Sequence, residues 1–369
     1  MKTVLFLIPT LGGGGAEKVL VNLANNLDKT KYDVTVQTIF KNDVHSSSLN
    51  KDVKFVRGKV KAFRGNVVLS KLFSPAFLYR TIVKKRYDIV IAYLEGLACR
   101  IVAGCPYDDV KKMAFVHIKV NSTKSASYCF RNIDEMNKLY NRFDVISCCA
   151  ETVKQGFENA VKLDKPCIVL YNVNETEDIV AKSNMPLENF KFSDDINLIS
   201  VGRLVKQKGF DRLINVHKRL LDEGIKNYLY ILGEGDLRSS LEKQVEDLNV
   251  QDTVHFLGFQ TNPYHYVANA DLFVCSSIEE GFSTAVTESL VVGTPIVSTN
   301  CSGAYELLGY ANEYGIVTEN NEDALYDGVY NMLVKEGKLA YYKERAKERG
   351  SNFSKSKTIE AVEKVLDNV

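Results

Sequence analysis

The stretch LFVCSSIEEGFSTAVTESLVVGTPIVS, residues 272–298, decides the fold. Residues 272–275 form a short apolar run of the kind that makes a buried strand. A helix is predicted from near Ser283. Gly293 and Pro295 then stop that helix, as a glycine just past a helix end and a following proline do. Residues 296–298 form a second apolar run. A helix that returns the chain to a new strand makes the two strands parallel, because a parallel pair needs a long crossover.

The same alternation runs outward in both directions. Six strand candidates lie at residues 4–8, 34–39, 89–92, 113–117, 145–148 and 168–171, and six more at 198–201, 228–232, 254–257, 272–275, 296–298 and 316–318. Between them lie amphipathic helical patterns. Val19, Leu20, Leu23 and Leu27 share one face of residues 16–27, and Leu213, Ile214, Val216 and Leu220 share one face of residues 212–221. Two series of βα units predict an α/β chain with two parallel sheets, each covered by helices on both faces. The acidic, polar stretch 172–178 separates the series. The expected domains are therefore residues 1–173 and 174–353, two Rossmann-like halves facing each other across a cleft. The helical pattern at 354–369 is expected to pack back on the first.

Composition excludes several classes. The 369 residues are 45% hydrophobic and 25% charged, which is ordinary globular usage. A formal net charge of +1 argues against a dedicated nucleic-acid protein. None of the eight cysteines forms a CxxC pair, so free buried thiols in a reducing compartment are expected rather than a zinc site. The apolar run at residues 3–9 is too short for a signal peptide, and no stretch reaches 18 consecutive apolar residues. A cytoplasmic chain is expected.

The near-neutral total hides a local excess. Residues 51–86 hold seven lysines and four arginines against one acid, Asp52, which is +10 in 36 residues and leaves −9 for the rest. Phe55, Phe63, Leu69, Leu72, Phe73, Phe77, Leu78 and Tyr79 are interleaved with these cations. Such a mixture suits an anionic membrane surface, so a peripheral membrane contact through 51–86 is expected.

Three loops carry candidate chemistry. Gly12-Gly13-Gly14-Gly15-Ala16-Glu17 follows the first strand and opens a helix, where glycines admit a ligand close to the backbone and the helix N-terminus favours an anion. No acidic residue ends the second strand, which weakens a nicotinamide-dependent oxidoreductase as the alternative reading. Gly202-Arg203-Leu204 and Lys206-Gln207-Lys208-Gly209-Phe210 follow the first strand of the second half. Arg and Lys on a loop at the carboxyl end of a parallel strand suit a diphosphate. Glu280 and Glu288 bracket the predicted helix start at Ser283. That terminus suits a phosphate, and Glu288 suits ribose hydroxyls. No Asp-x-Asp pair occurs in the chain, so no metal is expected on a donor diphosphate.

The Glu-x7-Glu element, the Gly-Arg-Leu…Lys-Gly-Phe loop and Leu232-Gly233-Glu234-Gly235 resemble, in order and spacing across residues 197–308, the family 4 retaining glycosyltransferases of bacterial polysaccharide synthesis. Gly14-Gly15-Ala16-Glu17, residues 91–104, Phe115-Val116-His117 and Val169-Leu170-Tyr171-Asn172 also resemble that family. The resemblance implies the GT-B arrangement of two Rossmann-like domains. It implies transfer of a hexose or N-acetylhexosamine from a nucleoside-diphosphate sugar, with a UDP-sugar favoured, to a polyprenyl-diphosphate-linked glycan, with no cofactor and no metal. Arg203 and Lys208 would hold the leaving diphosphate, and Glu288 the ribose. Glu280, Gly281, Phe282 and Ser283 would contact the sugar and phosphates. Gly14, Gly15, Gly202, Gly233 and Phe259 would line the donor site, with Phe259 near the base. His117 would sit beside the sugar or acceptor, although Ile118, Lys119 and Val120 follow it where many relatives carry an acid. A non-catalytic partner subunit of the same fold is the remaining alternative.

Overall fold

The computed structural model describes all residues except Gly13, Arg64, Asn121, Glu188, Asn189, Gly281 and Ser302. The chain forms two compact units, Met1–Asn174 with Ser356–Val369, and Glu175–Lys355.

The first unit is built on a seven-stranded sheet. Its strands are β1 (Lys2–Ile8), β2 (Tyr32–Thr38), β3 (Lys54–Val56), β4 (Ile89–Tyr93), β5 (Lys111–Val116), β6 (Val145–Cys148) and β7 (Ile168–Val169). They lie in the order β3-β2-β1-β4-β5-β6-β7, every pair parallel. The central strands are apolar on both faces because helices cover both. Val4 to Ile8 and Ile89 to Ala92 are almost wholly enclosed. The C-terminal helix Lys355–Asn368 seals this core with Val362 and Leu366, and Tyr32 Oη donates to the Asp367 carboxylate.

The second unit carries β8 (Ile196–Val201), β9 (Asn227–Leu232), β10 (Val254–Gly258), β11 (Leu272–Cys275), β12 (Ile296–Thr299) and β13 (Ile316–Thr318). These are again all parallel, in the order β10-β9-β8-β11-β12-β13. Each sheet therefore reverses its winding once, between β1 and β4 in the first and between β8 and β11 in the second. In open α/β sheets the crevice outside the carboxyl ends of the strands at that reversal is where ligands bind.

The +10 segment departs from its reading in two ways. It contributes β3, an edge strand too short and too polar to show in the sequence. Tyr79 is a core residue at 2% exposure, enclosed because the helix Pro75–Ile82 turns that one face inward. Leu69, Leu72, Phe73 and Phe77 do project, Leu72 at 74% exposure. Beneath them the fully buried Arg100 donates to the Ser70 and Phe73 carbonyls, both at 2.9 Å, and is paired with Glu135. Arg131 donates to the Lys71 carbonyl at 2.7 Å. Among the described residues no helix is long and apolar enough to cross a membrane, and no disulfide is present.

Candidate active site

In the second unit, two loops meet at the reversal. Residues 202–209 leave β8 and residues 276–283 leave β11. They are sewn together through main-chain groups: the Ile278 N–H donates to the Gln207 carbonyl at 2.7 Å, and Ser276 Oγ donates to the Lys208 carbonyl at 2.9 Å. Arg212 Nε donates to the Ser276 carbonyl at 2.7 Å. Gly209 has φ 60°, and a Cβ there would sit 2.4 Å from the Ser276 oxygen, so only glycine closes this junction.

The junction brings Lys208 and Glu280 together. Lys208 Nζ donates to Glu280 Oε1, and Ser277 Oγ donates to the same oxygen at 2.8 Å. Both side chains are mostly enclosed, in a recess also lined by Ser200, Phe273, Cys275 and Ser283. Burial works against the Lys208 ammonium, but the Glu280 carboxylate overrides it and holds the lysine above its ordinary range. The lysine is thus a fixed cation. Arg203 is exposed on the same loop, its guanidinium making no hydrogen bond or ion pair among the described residues.

Ser283 caps the helix Thr284–Val292, its Oγ accepting from the Val286 N–H. Glu288 lies further along that helix and accepts from Tyr264 Oη at 3.2 Å. The Phe282 side chain is buried against Phe353. Gly202 and Gly233 have a packing reason to be glycine. Gly233 has φ 136°, and a Cβ on it would lie 1.9 Å from the Gly202 carbonyl oxygen, while a Cβ on Gly202 would meet the Lys208 stem at 3.3 Å. Phe259 follows β10 and is 74% exposed. Gly281 lies outside the described residues.

In the first unit the reversal is flanked by the loop after β1 and the loop after β4. Gly14 caps the helix Gly15–Asn26, and a Cβ there would lie 2.2 Å from Glu17 Oε2. The glutamate therefore folds back over the helix N-terminus and puts negative charge where a dinucleotide phosphate would need to sit. His117 directly follows β5, 8% exposed, with its ring 4.6 Å from that of Tyr93 and its Nε2 without a hydrogen-bond partner. Burial pushes its pKa down to about 4, so the imidazole is neutral at physiological pH.

Several contributors escaped the sequence reading. Arg212, Ser276, Ser277 and Gln207 build the Lys208–Glu280 junction, and Glu95 bonds the His117 main chain at 2.9 Å. The proximity in sequence of Gln207 to Lys208 and of Ser277 to Glu280 was a usable signal. The others act through strands brought together by folding.

Comparison with known proteins adds to this geometry. Residues 182–349 match the model described as Glycosyl transferases group 1, and residues 13–177 match Glycosyltransferase Family 4. The N-acetylgalactosamine-N,N'-diacetylbacillosaminyl-diphospho-undecaprenol 4-alpha-N-acetylgalactosaminyltransferase of Campylobacter jejuni is 30% identical over 97% of both chains. The lipopolysaccharide core biosynthesis glycosyltransferase LpsE of Rhizobium meliloti is 37% identical over 37% of this chain and 38% of its own. Among solved structures, Anabaena Alr3699/HepE in complex with UDP-glucose superposes with a TM-score of 0.80 over the whole of both chains at 18% identity, a likeness of fold.

Proposed function

The chain belongs to the family 4 glycosyltransferases, with two parallel-sheet α/β domains of the GT-B class, and from that premise we propose a retaining enzyme that moves a hexose or N-acetylhexosamine from a UDP-sugar to a polyprenyl-diphosphate-linked glycan. The observation that carries the reading is the Lys208–Glu280 pair, held with Arg203 on the two loops at the β8/β11 reversal. Lys208 and Arg203 neutralise the diphosphate as it departs with the bond electrons. Glu280, already hydrogen-bonded by Ser277, shares its lysine with the incoming phosphates and accepts from a sugar hydroxyl. The helix N-terminus at Ser283 faces the phosphates, Glu288 takes the ribose and Phe259 borders the base.

In a retaining front-face reaction the departing phosphate oxygen takes the acceptor proton. The protein then supplies position and fixed charge rather than a nucleophile. The pre-sewn loops suit that task, since their donors need no rearrangement at the moment of reaction. We take the diphosphate to be neutralised by these two side chains without a metal ion. The UDP and lipid-linked acceptor parts draw support from the diphospho-undecaprenol acceptor in the Campylobacter jejuni relative's name and the UDP-glucose complex of the Anabaena structure.

A thermal-shift panel of UDP, GDP and ADP, followed by the UDP-sugars with and without EDTA, tests the reading through preferential binding to the folded state. UDP alone should stabilise the wild type and stabilise Lys208→Ala far less. Equal stabilisation of both, or a preference for GDP or ADP, would count against it. Product anomeric configuration by NMR tests retention.

The exposed apolar residues of the +10 segment support a second element of the proposal, that the enzyme works at an anionic membrane face. Four bulky side chains displayed amid cations fit a bilayer interface better than bulk water.

A further inference from the structure

The pairing of β4 with β5 ends in an irregular step. The register Tyr93↔Phe115 continues with a bond from the Leu94 N–H to the Phe115 carbonyl at 3.2 Å. In a parallel ladder the next bond would run from the His117 N–H to the Leu94 carbonyl. Leu94 instead has φ 107°, a conformation that residues with side chains rarely adopt, and its carbonyl accepts from the Cys99 thiol at 3.4 Å. The His117 N–H donates to Glu95 Oε2. A carboxyl has taken the place of a main-chain acceptor. The following residue, Gly96, has φ 85° and would put a Cβ 2.9 Å from Cys129 Sγ, so the turn that delivers Glu95 requires glycine there.

Strain of this kind persists where surrounding structure over-determines it, and it clusters at functional sites. Here it coincides with the β1/β4 reversal and with a second oddity, the buried and unpartnered Nε2 of His117. The imidazole is fixed by its tilted contact with the Tyr93 ring, 4.6 Å away, and, through its own backbone, by Glu95. Glu95 is itself half-buried. Burial raises its pKa, and the amides of His117, Glu95 and Ile118 pull it back.

We infer that Glu95 is a positioning residue: by replacing the Leu94 carbonyl at the end of the ladder, it sets the His117 backbone so that Nε2 meets a hydroxyl of the bound sugar substrate. The inference rests on the glycosyltransferase reading for its ligand, but its structural half stands alone.

The test uses the full chain with Glu95→Ala, Glu95→Gln, His117→Ala and the Glu95→Ala/His117→Ala double variant. UDP release from UDP-N-acetylglucosamine and UDP-N-acetylgalactosamine gives the rates, and the histidine-ring ¹⁵N–¹H spectrum reports the imidazole directly. Glu95→Ala should lower kcat about tenfold or more with the donor KM nearly unchanged. Gln keeps an acceptor oxygen and should restore most of the rate. The double variant should be no slower than His117→Ala, because a group acting through another is not additive with it. The His117 ring signals should move in Glu95→Ala and stay in Glu95→Gln. Multiplying effects in the double variant, or unmoved ring signals in Glu95→Ala, would overturn the inference. A wild type that releases no UDP from either donor would count against these two sugars as its donors and leave the ring spectrum to decide the positioning.

Discussion

Lys208 shows how one residue's environment sets its use. Its cation is kept charged by a carboxylate that, under the proposed function, also meets the substrate, so removing either partner is expected to disturb both folding and chemistry. Lys208→Ala should cost about 3 kcal/mol of barrier, a fall in kcat of roughly a hundredfold. It should also lower the melting temperature, because Glu280 loses its cation in an enclosed place, at a cost of about 1–3 kcal/mol. Adding Glu280→Gln should recover the melting temperature but not the rate. Arg203→Ala should cut kcat to a similar degree with no change in melting, since Arg203 is exposed and makes no ion pair among the described residues. Steady-state kinetics beside calorimetry on these four proteins checks both halves, and near-normal turnover in the single lysine and arginine variants would remove them from the site.

At the scale of elements, the helix Phe210–Asp222 is anchored by a titratable contact. His217 Nδ1 lies 2.6 Å from Asn227 Oδ1 and Nε2 lies 2.9 Å from Thr253 Oγ1, and burial lowers its pKa to about 4. The unfolded chain therefore binds this proton near pH 6.5 and the folded one only near 4. Stability from this group is complete above pH 6.5 and drains away as pH falls toward 4, by up to about 3 kcal/mol. His117 adds a drain of the same sign and window. Melting curves from pH 7.5 to 4 should show the loss, and His217→Gln should flatten part of it while lowering stability at pH 7.5. A second element depends on the buried Arg100. Arg100→Gln frees the Ser70 and Phe73 carbonyls and leaves Glu135 with Arg131 alone, so limited proteolysis should cut within residues 66–77 sooner than in the wild type. Both contacts bear on what the sequence shows. The βα rhythm and the Lys208 and Glu280–Glu288 loops were legible because their spacing is local. Thr253 beneath His217, Glu135 beneath Arg100 and Glu95 beneath His117 are 36, 35 and 22 residues away. No periodicity connects them, whereas β3 was hidden by its shortness and the inward turn of Tyr79 by its place among projecting aromatics.

For the molecule as a whole, the charge asymmetry first seen in 36 residues extends to the two units. The unit Met1–Asn174 with Ser356–Val369 holds 29 Lys and Arg against 18 Asp and Glu, or +11, and Glu175–Lys355 holds 18 against 28, or −10. If the acidic unit receives a diphosphate as proposed, it must rely on its local cations, and Lys208 and Arg203 would then matter more than the surrounding field. The basic unit has the opposite problem, because diffuse cations attract any anion, and under the proposed membrane contact its exposed apolar side chains would supply the preference for a bilayer. Each cation near an anionic surface contributes about 1 kcal/mol, and salt screens that contribution, whereas buried apolar area is insensitive to salt. Sedimentation with vesicles containing anionic lipid should therefore fall in two stages. Lys84→Glu/Lys85→Glu should lose most binding at low salt, and Leu72→Ser/Phe77→Ser should lose the part that survives at high salt, with folding intact because all four side chains project from the surface or stand at the end of a short helix. Unchanged sedimentation in both pairs would show that the +10 segment is an ordinary solvated face.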